Sequence, residues 1–232
     1  VESVTAERLP GQIAYLRLLT FQENTGEQVR KALTDMKFEK DGPRGLIIDL
    51  RENTGGLLTQ AVEVLDDLVT EGELVIVRSA LGRESESAKP ALALPAAASV
   101  VVLVNEESAS ASEIVAGSVK FLQRGVILGR TSFGKGTVQL VKPENFYGRE
   151  LALKLTIAEY LVAGDRQVQT AGVQPDLALF PVELTAIPGV ANYYDRERFD
   201  RRREFAQVSH LPSAKHEKPR ADATPDGPPL RY

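Results

Sequence analysis

The 232-residue chain contains no cysteine, which removes disulfides, thiolate metal sites and any cysteine nucleophile and leaves the compartment open. Histidine is nearly absent. The two present, His210 and His216, both fall in a polar C-terminal tail, so a Ser-His-Asp triad or a Cys-His dyad is disfavoured. If the chain performs covalent catalysis, its base is a lysine. No apolar run reaches the length of a membrane span, and no signal-peptide pattern opens the chain. Its first residue is Val1, so a fragment or processed form is expected. An excess of basic charge is also missing. With 28 Lys and Arg against 32 Asp and Glu, the net charge of -4 gives no field of the kind nucleic acid binding requires. The run Arg201, Arg202, Arg203 reads as a solvated helix face.

What is present suits one medium-sized globular core with a small appendage: 43% hydrophobic and 26% charged residues. Strands and helices alternate, the pattern of an α/β domain. Gln12 to Leu19 reads as a strand. Asn24 and Glu27 offer an Asn-x-x-Glu helix start before the apolar positions Val29, Leu33 and Met36, and Gly42-Pro43 offers a stop. Gly45 to Leu50 reads as a strand buried on both faces, turned by Asn53-Thr-Gly-Gly56 into a helix over about Leu58 to Val69. Leu74 to Val77 is a further strand, and Leu81 to Pro95 an exposed loop or hairpin. A second strand-turn-helix unit follows, with strand Ser99 to Val104, helix Ala111 to Leu122 and strand Val126 to Gly129. Strands at Thr137 to Val141, Glu150 to Leu161 and Gln167 to Thr170 extend or flank the sheet. From Pro181 the texture changes to a short charged helix and then a Pro-, Lys- and Asp-rich end, read as disordered.

Two segments carry candidate chemistry, Ser108 to Ile114 (SASASEI) and Phe133 to Gln139 (FGKGTVQ), which together offer a nucleophile and a base. Ser110-x-x-Glu113 before an apolar run is a capping box that needs no catalytic role. The same position beside unpaired helix N–H groups also favours developing negative charge. Composition does not choose among Ser108, Ser110 and Ser112. Gly129 to Lys135 fits GxxxxGK, the start of a phosphate-binding loop, and Asp49 could imitate that fold's metal-holding acid. Gly136 stands where a Ser or Thr should hold magnesium, however, and a strand pattern follows where a helix should open. Gly55-Gly56 is either a tight turn or a pair of backbone donors for an oxyanion, with the N–H of Ala111 as the donor following a nucleophile at Ser110.

These motifs occur in order with Gly11 to Leu18, Ile48 to Gly56, Asn105 to Glu113, Gly129 to Gln139, Leu153 to Tyr160 and Gly172 to Asp176. Together they make the chain resemble the tail-specific, carboxyl-terminal processing family of serine proteases. The resemblance implies an α/β fold, a ClpP/crotonase-like core of repeated β-β-α units with additional strands. It also implies a nucleophile at Ser110, a general base at Lys135 and a supporting Gln139, with an oxyanion hole at Gly55, Gly56 and Ala111. A lysine serves as base only when unprotonated, which its reference pKa of about 10.4 disfavours at neutral pH, so the site must favour the neutral amine.

The implied activity is that of an endopeptidase cleaving unfolded or C-terminal polypeptide segments through an acyl-enzyme, with no cofactor and no metal. The implied partner is a polypeptide substrate, in an extracytoplasmic setting such as the bacterial envelope, and the oligomeric state is open. Residues 1–185 would form the catalytic core, 186–208 a charged helical extension and 209–232 a disordered tail. Family members usually carry a PDZ domain just before the Gln12-type strand, where this chain begins. Rival readings are a non-catalytic binding module on the same fold, which leaves the intact Ser110, Lys135 and Gln139 unexplained, and a crotonase-like acyl-CoA enzyme, which leaves the Ser-Lys pair unexplained.

Overall fold

The computed structural model describes residues 2–37, 42–90, 94–146 and 149–179. The expected C-terminal extension and tail lie outside the described residues, as do His210, His216 and Arg201 to Arg203. The elements run β1 (Val4–Leu9), β2 (Ile13–Leu18), α1 (Thr25–Asp35), β3 (Gly45–Asp49), α2 (Leu58–Leu68), β4 (Glu73–Ser79), β5 (Gly82–Ser87), β6 (Ser99–Val104), α3 (Ala111–Phe121), β7 (Val126–Gly129), β8 (Thr137–Phe146), β9 (Arg149–Val162), β10 (Arg166–Gln167) and β11 (Leu177–Ala178).

Two sheets result. The first has the order β1-β2-β3-β6-β7-β11, antiparallel between β1 and β2 and parallel from β2 onward. Parallel neighbours require long crossovers, which α1, α2 and α3 supply. Ala14, Leu16, Leu18, Leu46, Ile48, Val100, Val102 and Val104 are buried along its strands, while intervening residues such as Ile47 and Val101 are half-exposed. That alternation corrects the expectation of burial on both faces for Gly45 to Leu50. Each fully buried Leu, Ile or Val contributes about 1.5–3 kcal/mol, and the strands share one core with Val64 and Leu65 of α2 and Ile114, Val115 and Val119 of α3.

The second sheet has the order β10-β9-β4-β5, with β8 also pairing β9. Strands β8, β9 and β10 therefore do not extend the first sheet. They build a separate one, in which β9 pairs with β8 along most of its length and with β4 through Ala158 to Val162. Helix α3 packs on β4, β7 and β9, so the end of β9 is held close to the helix that begins at Ser110.

Two local expectations change. Asn24 is the N-cap of α1 but adopts a left-handed conformation, φ 71°, with no side-chain cap, and Thr25 Oγ1 instead accepts from Gln22 N–H at 3.0 Å. Helix α1 ends at Asp35, well before Gly42-Pro43, and Lys37 takes a φ of 55°. Of the two readings of Leu81 to Pro95, the exposed hairpin holds: β5 pairs antiparallel with β4, every residue of β5 exposed.

Candidate active site

The turn between β3 and α2 is built around Asn53, a fully buried residue. Its Nδ2 donates to Leu18 O at 2.9 Å and its Oδ1 accepts from Gly55 N–H at 2.8 Å. Its carbonyl accepts from Ala109 N–H at 3.0 Å and from the Ser112 hydroxyl at 2.8 Å. The segment after β3 is thus stitched to the segment after β6. Gly55 lies at the junction with φ 98°, and a β-carbon there would stand 2.6 Å from Ala109 O, 2.8 Å from Ser110 Cβ and 2.9 Å from Ala111 N. Only glycine fits both the conformation and the space.

The same contacts separate the three serines that composition left equivalent. Ser108 is buried, donating its hydroxyl to Leu50 O at 2.8 Å and accepting from Asn105 N–H at 2.9 Å. Ser112 is buried with its hydroxyl on Asn53 O. Both hydroxyls are committed to holding the turn. Ser110 is only half-buried and caps α3 with φ 58° and ψ -116°, a conformation that L-residues avoid. Such strain at a strand-to-helix turn marks positions held for function.

Opposite Ser110 stands Glu113, fully buried one turn into α3. Its Oε2 accepts the backbone N–H of Ser110 at 2.9 Å and that of Lys135 at 2.8 Å. Its Oε1 accepts the Ser132 hydroxyl and Gly134 N–H, both at 2.6 Å. Burial pushes the Glu113 carboxyl above its ordinary 4.5, and the hydrogen bonds from Ser132, Lys135, Ser110 and Gly134 offset part of that rise. The capping box read from the sequence therefore does more than cap: its glutamate draws the loop carrying Lys135 against the start of α3.

That loop is fixed from its other side by residues 168–173. Thr170 N–H donates to Gly134 O at 2.8 Å, Gly136 N–H to Gln169 Oε1 at 2.7 Å and Val173 N–H to Ser132 Oγ at 2.6 Å. Gly134 has φ 87°, and a β-carbon on it would press on Thr170 C at 3.0 Å. The flanking glycines thus allow backbone packing against residues 168–173. Lys135 itself is half-buried.

Tyr160 completes the junction. It is 3% exposed at the end of β9, its N–H donates to Gly136 O at 2.9 Å, and its hydroxyl donates to the Lys135 carbonyl. Burial and the neighbouring Glu113 charge push its pKa far above the ordinary 10, so it remains a neutral phenol.

The backbone around Ser110, Ala111, Gly55 and Lys135 thus converges. Of the expected oxyanion donors, Gly55 N–H donates to Asn53 Oδ1. Among the described residues, the N–H groups of Gly56 and Ala111 are given no acceptor, and Ala111 as the first residue of α3 has none within the helix. Gly56 also lines a groove of about 470 Å³ with Phe21, Gln22, Glu23, Asn24 and Leu57. Gln139 lies on β8, exposed, four residues beyond Lys135, and pairs in register with Thr156. Among the described residues no hydrogen bond joins it to Lys135. Sequence reasoning assigned no role to Tyr160 and only a capping role to Glu113. The signal for both lay within quoted motifs, where a buried tyrosine and a helix-start glutamate read as structural.

The phosphate-binding alternative fails on geometry, because Gly136 leads into β8 and not into a helix. Asp49 is also engaged: it accepts from Arg51 Nε at 2.9 Å, Arg51 Nη2 at 2.6 Å and the Tyr15 hydroxyl at 2.6 Å. Among the described residues, no group of His, Asp or Glu side chains is placed to hold a metal ion.

Residues 12–179 match the profile of Peptidase family S41. The chain is similar to a carboxy-terminal-processing protease of Bartonella bacilliformis, 39% identical over 175 residues, covering 74% of this chain and 40% of that protein. It is also similar to a chloroplastic C-terminal processing peptidase of Tetradesmus obliquus, 36% identical over 180 residues, covering 77% of this chain and 38% of that protein. Among solved structures, a photosystem II D1 C-terminal processing protease aligns with TM-score 0.67 and 35% identity, covering 77% of this chain and 48% of that one. The chain spans about two-fifths of the length of these curated relatives.

Proposed function

The chain belongs to peptidase family S41, and from that premise we propose that it carries the catalytic core of a serine endopeptidase acting through Ser110 and Lys135. The observation that carries this reading is the shared acceptor: Ser110 and Lys135 donate their backbone N–H groups to the same Glu113 oxygen. Residues 25 positions apart, on different elements, are drawn to one buried atom. The binding-module and acyl-CoA readings give that bridge no task.

In the proposed cycle the unprotonated Lys135 amine takes the Ser110 hydroxyl proton as Ser110 Oγ attacks the peptide carbonyl. The oxyanion falls to the N–H groups of Ala111 and Gly56, which have no other acceptor among the described residues. The protonated amine returns its proton to the leaving amine, and water then hydrolyses the acyl-enzyme with Lys135 again as base. Gln139 is proposed to support the lysine when substrate binds, since among the described residues no hydrogen bond joins the two. The groove beside Gly56 receives substrate, which we take to be unfolded or C-terminal polypeptide. Residues 1–185 form the core in this reading, and an extracytoplasmic setting is proposed on the likeness to the processing proteases. No helix among the described residues is long and apolar enough to cross a membrane.

The test is chemical trapping. The purified chain is mixed with an unfolded polypeptide, quenched in acid during turnover and digested for mass spectrometry. The reading expects an acyl adduct on the peptide that contains Ser110. Turnover with the adduct on another residue overturns it.

A further inference from the structure

The two peptide planes that meet at the Lys135 α-carbon are each held at both edges. In the first, Gly134 O accepts from Thr170 N–H at 2.8 Å and Lys135 N–H donates to Glu113 Oε2 at 2.8 Å. In the second, Lys135 O accepts from the Tyr160 hydroxyl, and the N–H of Gly136, a buried residue, donates to Gln169 Oε1 at 2.7 Å. A backbone N–H can only donate, so the oxygen and not the nitrogen of the Gln169 amide faces it. The Gln169 backbone lies close as well: a β-carbon on Gly136 would stand 2.8 Å from Gln169 N and 3.1 Å from Gln169 Cβ. Gln169 is itself pinned. It sits in a turn closed by Gly172 N–H donating to Val168 O at 2.9 Å, with Val168 and Val173 buried in the core at either end. A fixed turn thus delivers one side-chain oxygen to a buried donor, and a buried donor left without a partner is costly.

Resting on the serine-lysine reading above, we propose that Gln169 is a positioning residue for the base: its side-chain oxygen fixes the peptide plane that follows Lys135, and with it the direction in which the lysine side chain leaves the backbone. It acts through that plane and takes no proton itself, because a neutral amide is no base at the pH of the reaction. Releasing this one edge frees rotation between the Lys135 α-carbon and its carbonyl while the preceding plane stays on Glu113. The amine stands at the end of a long side chain, so a small rotation at its root becomes a large displacement at its tip. A displacement on the order of 1 Å from reacting geometry is worth about a hundred-fold in rate.

The test compares covalent labelling of Ser110 by a serine-directed fluorophosphonate in the parent chain, Gln169→Met, Gln169→Glu and Ser118→Ala. Methionine keeps the length of the side chain and removes the amide oxygen, whereas glutamate keeps an oxygen that accepts. The Ser118 hydroxyl is buried in α3 and donates to Leu74 O, so its loss removes one buried hydrogen bond outside the site. Rates are expressed per folded molecule and followed over probe concentration. Gln169→Met is expected to lower the maximal labelling rate about ten-fold, with the half-saturating concentration within about two-fold of the parent. Gln169→Glu is expected to label within about three-fold of the parent, and Ser118→Ala to melt at lower temperature and label at the parent rate. Should Gln169→Met not fold, Gln169→Asn takes its place, since the shorter side chain draws the same oxygen away from Gly136. Labelling of the Met or Asn variant at the parent rate overturns the proposal while leaving the serine-lysine reading intact. So does a Gln169→Glu protein as slow as Gln169→Met, or an equal slowing in Ser118→Ala, which would make the effect one of general stability. A folded parent that is not labelled on Ser110 overturns the serine-lysine reading itself, and this proposal falls with it.

Discussion

Ser110 and Lys135 hang from one oxygen atom, Glu113 Oε2, at 2.9 and 2.8 Å through their backbone N–H groups. The other oxygen of that carboxylate holds Ser132 and Gly134. Replacing it by an amide, Glu113→Gln, leaves the shape but turns an N–H₂ against two donors in a fully buried site. Stability is expected to fall by about 1–3 kcal/mol, and turnover at least ten-fold in the molecules that remain folded. Urea unfolding and a peptidase assay on the same preparations check both.

The three serines are expected to separate by assay. Ser108→Ala and Ser112→Ala each remove the hydroxyl donor of a buried carbonyl, Leu50 O and Asn53 O, and each is expected to lose about 1–2 kcal/mol of stability while retaining measurable turnover. Ser110→Ala is expected to keep the fold and lose turnover altogether. Melting curves beside activity distinguish the two patterns.

Gly55 and Gly82 both adopt positive φ, 98° and 133°, but a β-carbon at 82 meets nothing within 4 Å. Gly82→Ala therefore reports backbone strain alone, on the order of 1–3 kcal/mol. Gly55→Ala adds collision with Ala109 O and Ala111 N at the proposed oxyanion site. It is expected to abolish Ser110 labelling, whereas Gly82→Ala leaves the labelling rate of folded molecules unchanged.

Asp49 supplies an acid-dependent part of the stability. Burial alone would raise its pKa, but the hydrogen bonds from Arg51 and the Tyr15 hydroxyl prevail and hold it below its ordinary 3.8. The stabilisation is therefore present above 3.8 and lost as pH falls through the folded-state value. Asp49→Asn is expected to be less stable than the parent by about 1–3 kcal/mol at pH 7. The gap should shrink in urea titrations taken below pH 3.8.

Much of the parallel sheet is legible in the sequence, because its signals are short-range. The apolar runs at Gly45, Ser99 and Val126 become β3, β6 and β7, and Asn53-Thr-Gly-Gly56 turns the chain into α2 where expected. The strands of the second sheet are legible but their pairing is not, because it joins β9 to β4, about 80 residues apart in sequence, and Gly82 to Ser87 of β5, wholly exposed and without apolar alternation, read as loop or hairpin alike. The Asn24 cap misleads for a related reason. Asn tolerates left-handed backbone as readily as it caps, and the hydroxyl of Thr25 takes over the local bonding.

At the proposed site, the family resemblance points to Ser110, Ala111 and Lys135, whereas composition alone does not separate Ser110 from Ser108 and Ser112, whose hydroxyls are committed to Leu50 O and Asn53 O. The engagement of Gly55 N–H by Asn53 is likewise a consequence of tertiary geometry. The role of Glu113 hides behind the capping box, since one spacing serves both the helix end and the bridge to Lys135.

The most direct measurement is digestion of an unfolded polypeptide by the purified chain beside Ser110→Ala and Lys135→Ala, with fragments mapped by mass spectrometry. Cleavage by the parent and by neither variant is the expected result. Cleavage that persists in a folded Ser110→Ala or Lys135→Ala protein contradicts the assignment of nucleophile and base.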